Sequence, residues 1–227
     1  TGAINPTNLG LVVAIDSQRV TVSNVVAASF FGEPGRGTTT QDGPAGGPGF
    51  GLHFVRVSGC SVRDSSFSNV RGGTGGSVTE RRCLGSGGPA TAVRLVDVAS
   101  CTLDGVTVGT VQGGGTGTWY NKPSGVNCYS KFGGAAYGLH ASGGRNVVVE
   151  DTTIRTVTGG EPLYRGTGMD GGGAIGAMFE NCTDCGVRRT VIGSLQGARG
   201  SDAAAFGRVG RPGQATGLIV NGSTAFE

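Results

Sequence analysis

Apolar and turn-forming positions follow one another along this chain in a block that occurs five times. In Leu52 to Gly72, LHFVRVSGCSVRDSSFSNVRG, the apolar residue Val62 is followed eight places on by Val70 and ten places on by Gly72. The same spacing joins Val22 to Phe30 and Gly32, Leu103 to Val111 and Gly113, Val149 to Val157 and Gly159, and Val187 to Leu195 and Gly197. A further apolar residue stands five places after each anchor, at Ala27, Phe67, Val108, Ile154 and Ile192, and Val20, Cys60, Cys101, Val147 and Cys185 stand two places before it. The anchors lie 40, 41, 46 and 38 residues apart. A fixed core of about twenty residues therefore precedes a stretch of variable length, which is the mark of an internal repeat.

Each core holds three short runs rich in Val, Ile, Thr and Phe, such as LHFVRV, CSV and FSNV. They are separated by Gly, Ser, Asp and Asn, which favour turns. No window carries apolar residues at helical spacing over three turns, so the pattern predicts three strands per repeat and no helix. One such unit cannot bury its apolar face alone, but units stacked at strand spacing bury a continuous core. Stacking puts Val20, Cys60, Cys101, Val147 and Cys185 in one inward ladder and Val22, Val62, Leu103, Val149 and Val187 in the next.

With these ladders the chain resembles the right-handed parallel β-helix family, the pectate-lyase-like solenoids, over nearly its whole length. The resemblance implies an all-β fold of about five coils and a partial sixth, and is almost silent on function. We expect one domain over 1–227: an N-terminal arm at 1–9, five coils of about 40 residues at 10–217, and an open strand at 218–227, where Leu218 matches Leu52, Val93 and Leu139. The insertions, roughly 33–50, 73–91, 114–137, 160–175 and 198–216, all leave from one corner just after the repeated glycine. Five in register suggest an ordered layer along one side, either loops or extended glycine-rich strands. Trp119, Tyr120, Tyr129, Phe132, Tyr137, Tyr164 and Phe206 lie in them. They pack that layer onto the coils or, in a sharper reading, form a sugar-stacking or subunit-contact surface, with Trp119 and Tyr120 as the glycan-stacking pair.

Glycine is the extreme of the composition, at 47 residues, without a collagen period. The net charge of +3 is small and dispersed and argues for neither nucleic acid nor an anionic membrane as a partner. No apolar run is long enough to span a membrane. Six cysteines suit an oxidising compartment, so a secreted or surface location is expected. Cys83 and Cys128, in successive insertions, suit a disulfide. Cys60 and Cys101, at one inward place in adjacent coils, either bond or stack as thiols. Cys182 and Cys185 form a CxxC with no second ligand pair for zinc, leaving a local disulfide or a core-facing Cys185. Asn181 and Asn221 open glycosylation sequons.

No catalytic, metal or cofactor constellation stands out. Asp64, Asp151 and Arg189 share one turn position, where turn formation is the simpler account of the two acids. Neighbouring Glu150 and Asp151 would point to opposite faces of a strand. His53, Arg94 and His140 occupy one outward row, read as solvated surface, with binding of an acidic sugar as the alternative. The function expected is a structural subunit whose partner is itself. The open edge at Leu218, Ile219 and Val220 of one copy meets Ile4, Leu11 and Val13 of the next to build a filament, with a repeat of about five strand spacings, near 25 Å. A polysaccharide lyase or glycoside hydrolase of this fold is the first alternative. An adhesin or phage fibre module that binds extracellular polysaccharide is the second.

Overall fold

A computed structural model describes residues 10–38, 42–78, 83–118, 132–162, 169–200 and 210–226. The first coil contains β1 (Gly10–Ile15), β2 (Gln18–Ser23) and β3 (Val26–Phe31). The second contains β4 (Gly49–Val55), β5 (Ser58–Arg63) and β6 (Ser66–Arg71), and the third β7 (Ala90–Val96), β8 (Ala99–Asp104) and β9 (Thr107–Gln112). The fourth contains β10 (Ala136–Ser142), β11 (Arg145–Glu150) and β12 (Thr153–Thr158). The fifth contains β13 (Ala174–Glu180), β14 (Gly186–Arg188) and β15 (Val191–Gln196), after which β16 (Ala215–Asn221) opens a sixth. They form three parallel sheets, β1-β4-β7-β10-β13-β16, β2-β5-β8-β11-β14 and β3-β6-β9-β12-β15. This is a right-handed parallel β-helix.

The inward columns follow the register. On the first sheet Val12, Leu52, Val93, Leu139, Ala177 and Leu218 stack, as do Ala14, Phe54, Leu95, Ala141, Phe179 and Val220. On the second Val22, Val62, Leu103, Val149 and Val187 stack, and on the third Ala27, Phe67, Val108, Ile154 and Ile192. Leu52, Phe54, Val62, Leu103 and Val108 are fully buried. Each expected insertion gives its last residues to the first sheet, because Gly49, Ala90, Ala136, Ala174 and Ala215 already lie in strand.

Corners are made by single residues in the left-handed region. Asp16, Arg56, Asp97, Asn181 and the glycines 143 and 222 form one such column, Asn24, Asp64, Gly105, Asp151 and Arg189 a second, and Arg19, Gly59, Ser100, Asn146, Asp184 and Ala225 a third. Asn, Asp and Gly dominate these columns because the conformation costs them least. The carboxylates that the repeat aligns are therefore turn formers first.

The insertions form an ordered layer built on a three-residue period. Gly32, Gly35 and Thr38 donate to the carbonyls of Arg71, Thr74 and Ser77, while Gly43, Gly46 and Gly49 donate to Cys83, Ser86 and Pro89. Extended segments that bond to neighbours at every third residue have the periodicity of polyproline II, which has no hydrogen bonds of its own. Outgoing segments (32–38, 72–78, 113–118, 159–162, 197–200) and return segments (42–48, 83–89, 132–135, 169–173, 210–214) alternate in a zigzag. Along it Gly213 donates to Ala198, Ala198 to Gly172, Gly172 to Gly160, Gly160 to Gly134, Gly134 to Gly114, Gly114 to Gly88, Gly88 to Gly73, Gly73 to Gly47, and Gly47 to Glu33. The motif GGTGGS at 72–77 shows why the sequence is so glycine-rich. A Cβ on Gly72 would overlap the Gly88 carbonyl and one on Gly73 the Glu33 carbonyl, whereas exposed Thr74 faces away from both neighbours.

Candidate functional site

Two regions carry side chains that the stack alone does not account for: its ends, and the outer face of the first sheet. At the ends, columns that are buried elsewhere lie open. Leu218 and Val220 belong to the columns of Leu52 and Phe54, yet they are 48% and 42% exposed, and Leu11 is 38% exposed. Val13 and Ile219 stand in the outward column beside them and are half-buried, while Ile4 lies outside the described residues. Among the described residues the first sheet has one strand more than each of the other two. Beyond β16, Thr224 bridges Thr183 and Phe226 packs edge-on against Phe179 at 4.9 Å, starting the second side of a sixth coil.

On the outer face of the first sheet, Val13, His53, Arg94, His140, Met178 and Ile219 form one column. A second runs through Gly10, Phe50, Thr91, Tyr137, Ile175 and Thr216. An aromatic ring three places before a histidine occurs in coils two and four. Phe50 lies 4.4 Å from the His53 ring, and Tyr137 stacks on His140 at 5.3 Å. The Arg94 guanidinium lies over Phe50, 5.1 Å from its centroid, in cation–π contact.

The two histidines differ. His140 Nε2 meets Glu180 Oε2 at 2.8 Å. His53 is only 8% exposed, which corrects the reading of this row as solvated, and its Nδ1 has no hydrogen-bond partner, nor has the buried Nε of Arg94. Burial, and then the positive charge of Arg94, push the His53 pKa down to about 4. Sequence reasoning found the row but not its burial. The usable signal was the aromatic residue three places earlier, which supplies the surface on which His53 and Arg94 rest.

Elsewhere charges pair across coils. Arg56 donates to Asp16 at 2.6 and 2.9 Å, and this bond holds the Asp16 carboxyl below its usual range. Arg189 donates to both Asp151 oxygens at 2.7 Å and to Glu150 at 3.1 Å, lowering the Asp151 pKa through that hydrogen bond. Glu150 and Asp151 thus share one partner instead of facing apart. Strand alternation ends at Glu150, and Asp151 turns at φ 45°. Asp64 and Asp151 remain two coils apart with Gly105 between them, so no carboxylate pair is assembled there. Among the described residues no group of three or more His, Cys, Asp or Glu is placed to hold a metal ion. A depression of about 220 Å³ beside β14 is lined by residues that include Asn146, Asp184 and Arg188.

Cys60 and Cys101 are joined, with Cα atoms 4.4 Å apart. Cys83 is also disulfide-bonded; Cys128, the partner expected for it, lies outside the described residues, as do Trp119 and Tyr120. Cys182 and Cys185 are buried free thiols, which corrects the local disulfide and leaves Cys185 in the core. Their sulfurs occupy the space above Gly144, where a Cβ would come within 3.1 Å of one and 3.7 Å of the other. Asn181 is an exposed corner residue and Asn221 an exposed end of β16.

No protein-family model matches the chain, and no curated protein matches it. Among solved structures, an antifreeze protein of the springtail Granisotoma rainieri, described as a nine polyproline type II helical bundle, is similar at 17% identity over 83% of this chain and 93% of that one. Its TM-score of 0.15 is too low to carry an argument about fold or function.

Proposed function

We propose that the protein is a structural module of an extracellular or surface-exposed filament, stacking end to end through the edges of β1 and β16. The observation that carries this reading is the pair of matching apolar edges. Leu218, Ile219 and Val220 of one copy meet Val12, Val13 and Ala14 of the next in the register that joins every other coil of the first sheet. Unpaired strand edges with bare apolar columns are templates for further pairing, and a head-to-tail contact that does not close builds a filament. The disulfides favour an oxidising, extracellular setting.

Among the described residues the first sheet has six strands and each of the other two has five. The joint lies on the first sheet, where the extra strand projects beyond the other two. Electron microscopy of this chain at high concentration tests the reading: filaments that are lost when residues 218–227 are removed support it, and dispersed particles reject it.

A further inference from the structure

We propose that Phe50, His53 and Arg94 on the outer face of the first sheet form a binding site for an oxyanion group, a carboxylate or a sulfate. Two nitrogens of adjacent coils, His53 Nδ1 and Arg94 Nε, are buried and unpartnered at paired positions of β4 and β7. Buried polar atoms without partners are rare and cost free energy unless something supplies the missing bond. Here the two share a platform, since Phe50 touches the His53 ring at 4.4 Å and lies 5.1 Å from the Arg94 guanidinium carbon.

The sign of the missing partner follows from the groups present. Arginine has donors and no acceptor, so Arg94 Nε calls for an acceptor, and a neighbouring imidazole can donate to the same acceptor from Nδ1. An oxyanion with two oxygens satisfies both nitrogens and offsets the guanidinium charge. On this face Glu180 is held by His140, and among the described residues no acceptor is bonded to His53 Nδ1 or Arg94 Nε. Phe50 and His53 are buried while Arg94 and Tyr137 are half-open. A ligand therefore approaches over coils three and four, with Phe50 and His53 as the inner wall.

The test is titration of the full chain with sodium sulfate, sodium acetate and sodium chloride at matched ionic strength, following the imidazole signals of His53 and His140 by NMR. We expect saturable shifts at His53 with sulfate or acetate, little change at His140, and no effect of chloride. The stronger of the two oxyanions identifies the preferred source. Arg94→Met should weaken binding at least tenfold while Arg94→Lys retains part of it. A wild-type readout that does not depend on any variant folding is the His53 titration itself, which should move to higher pH in the saturating anion. Shifts that are linear in salt, equal at both histidines, or unchanged in Arg94→Met would overturn the proposal.

Discussion

Gly134 donates its N–H to the Gly114 carbonyl at 2.8 Å, while a methyl group on the same Gly134 would overlap the carbonyl of Gly88. Bonding to one neighbour and close approach to another are thus met at a single residue. Gly134→Ala should destabilise the protein by about 2 kcal/mol or more, the scale of overpacking against an unyielding neighbour. Thr74→Ala, whose side chain points outward, should change stability by less than about 0.5 kcal/mol. Urea unfolding of both variants checks the contrast. Ala198 carries a methyl in the same zigzag, in the last outgoing segment among the described residues.

His53 predicts a pH dependence. Its folded pKa of about 4 lies below its ordinary 6.5, so the unfolded chain binds more protons between those values and stability rises with pH across that window. The contribution is complete above about pH 6.5 and lost as pH falls toward 4, on the order of 3 kcal/mol in all. Arg94 is the charged group facing it. Chemical unfolding between pH 4 and 7 should show a slope that flattens in His53→Gln; an equal slope in both proteins would show that other groups set it.

Thiol counting tests the cysteine assignment. Burial, with a hydrogen bond to Cys185 that favours the protonated thiol, pushes the Cys182 pKa up to about 12, so the reactive thiolate is scarce at neutral pH. Without reductant, iodoacetamide should label neither Cys182 nor Cys185 in the folded protein and both in denaturant. Reduction of the Cys60–Cys101 bridge should lower stability by about 2 to 4 kcal/mol, read as a lower urea midpoint.

For assembly, Leu218→Lys combined with Val220→Lys places two charges in the apolar edge of β16 and should abolish end-to-end association without unfolding the coils beneath. Sedimentation velocity and circular dichroism together read this out. Association that survives both substitutions would move the contact elsewhere.

The coils were legible because their signal is local and repeated: an inward residue such as Val62 is apolar for the same reason in every coil, and Gly72 marks the exit each time. The ladder at Cys60 and Cys101 followed from counting, since equal places in adjacent coils must stack. The outer face was harder. Whether His53 is wet or dry depends on how Phe50 and Arg94 settle around it, and spacing carries no information on that. Order in the glycine layer is legible from five insertions in register, but its three-residue lattice is not, because that period emerges only when segments such as 72–78 and 83–89 are laid side by side. For Cys182 and Cys185 the CxxC spacing leaves a local bond and a core-facing Cys185 both open, and the space above Gly144 decides for the second, with both sulfurs in the core unjoined.

Successive coils differ in length, at 40, 41, 46 and 38 residues between Val22, Val62, Leu103, Val149 and Val187, yet these anchors pair without a slip. Pairing also continues out along the insertions, where Thr38 meets Val78 and Phe132 meets Asp170. Alignment is therefore indifferent to how much sequence lies past those points. In engineering terms the molecule is a rack with evenly spaced mounts: peptides grafted beyond Thr38, Val78 or Thr118 would be carried side by side at strand spacing, their separation fixed by the coils and their length left free.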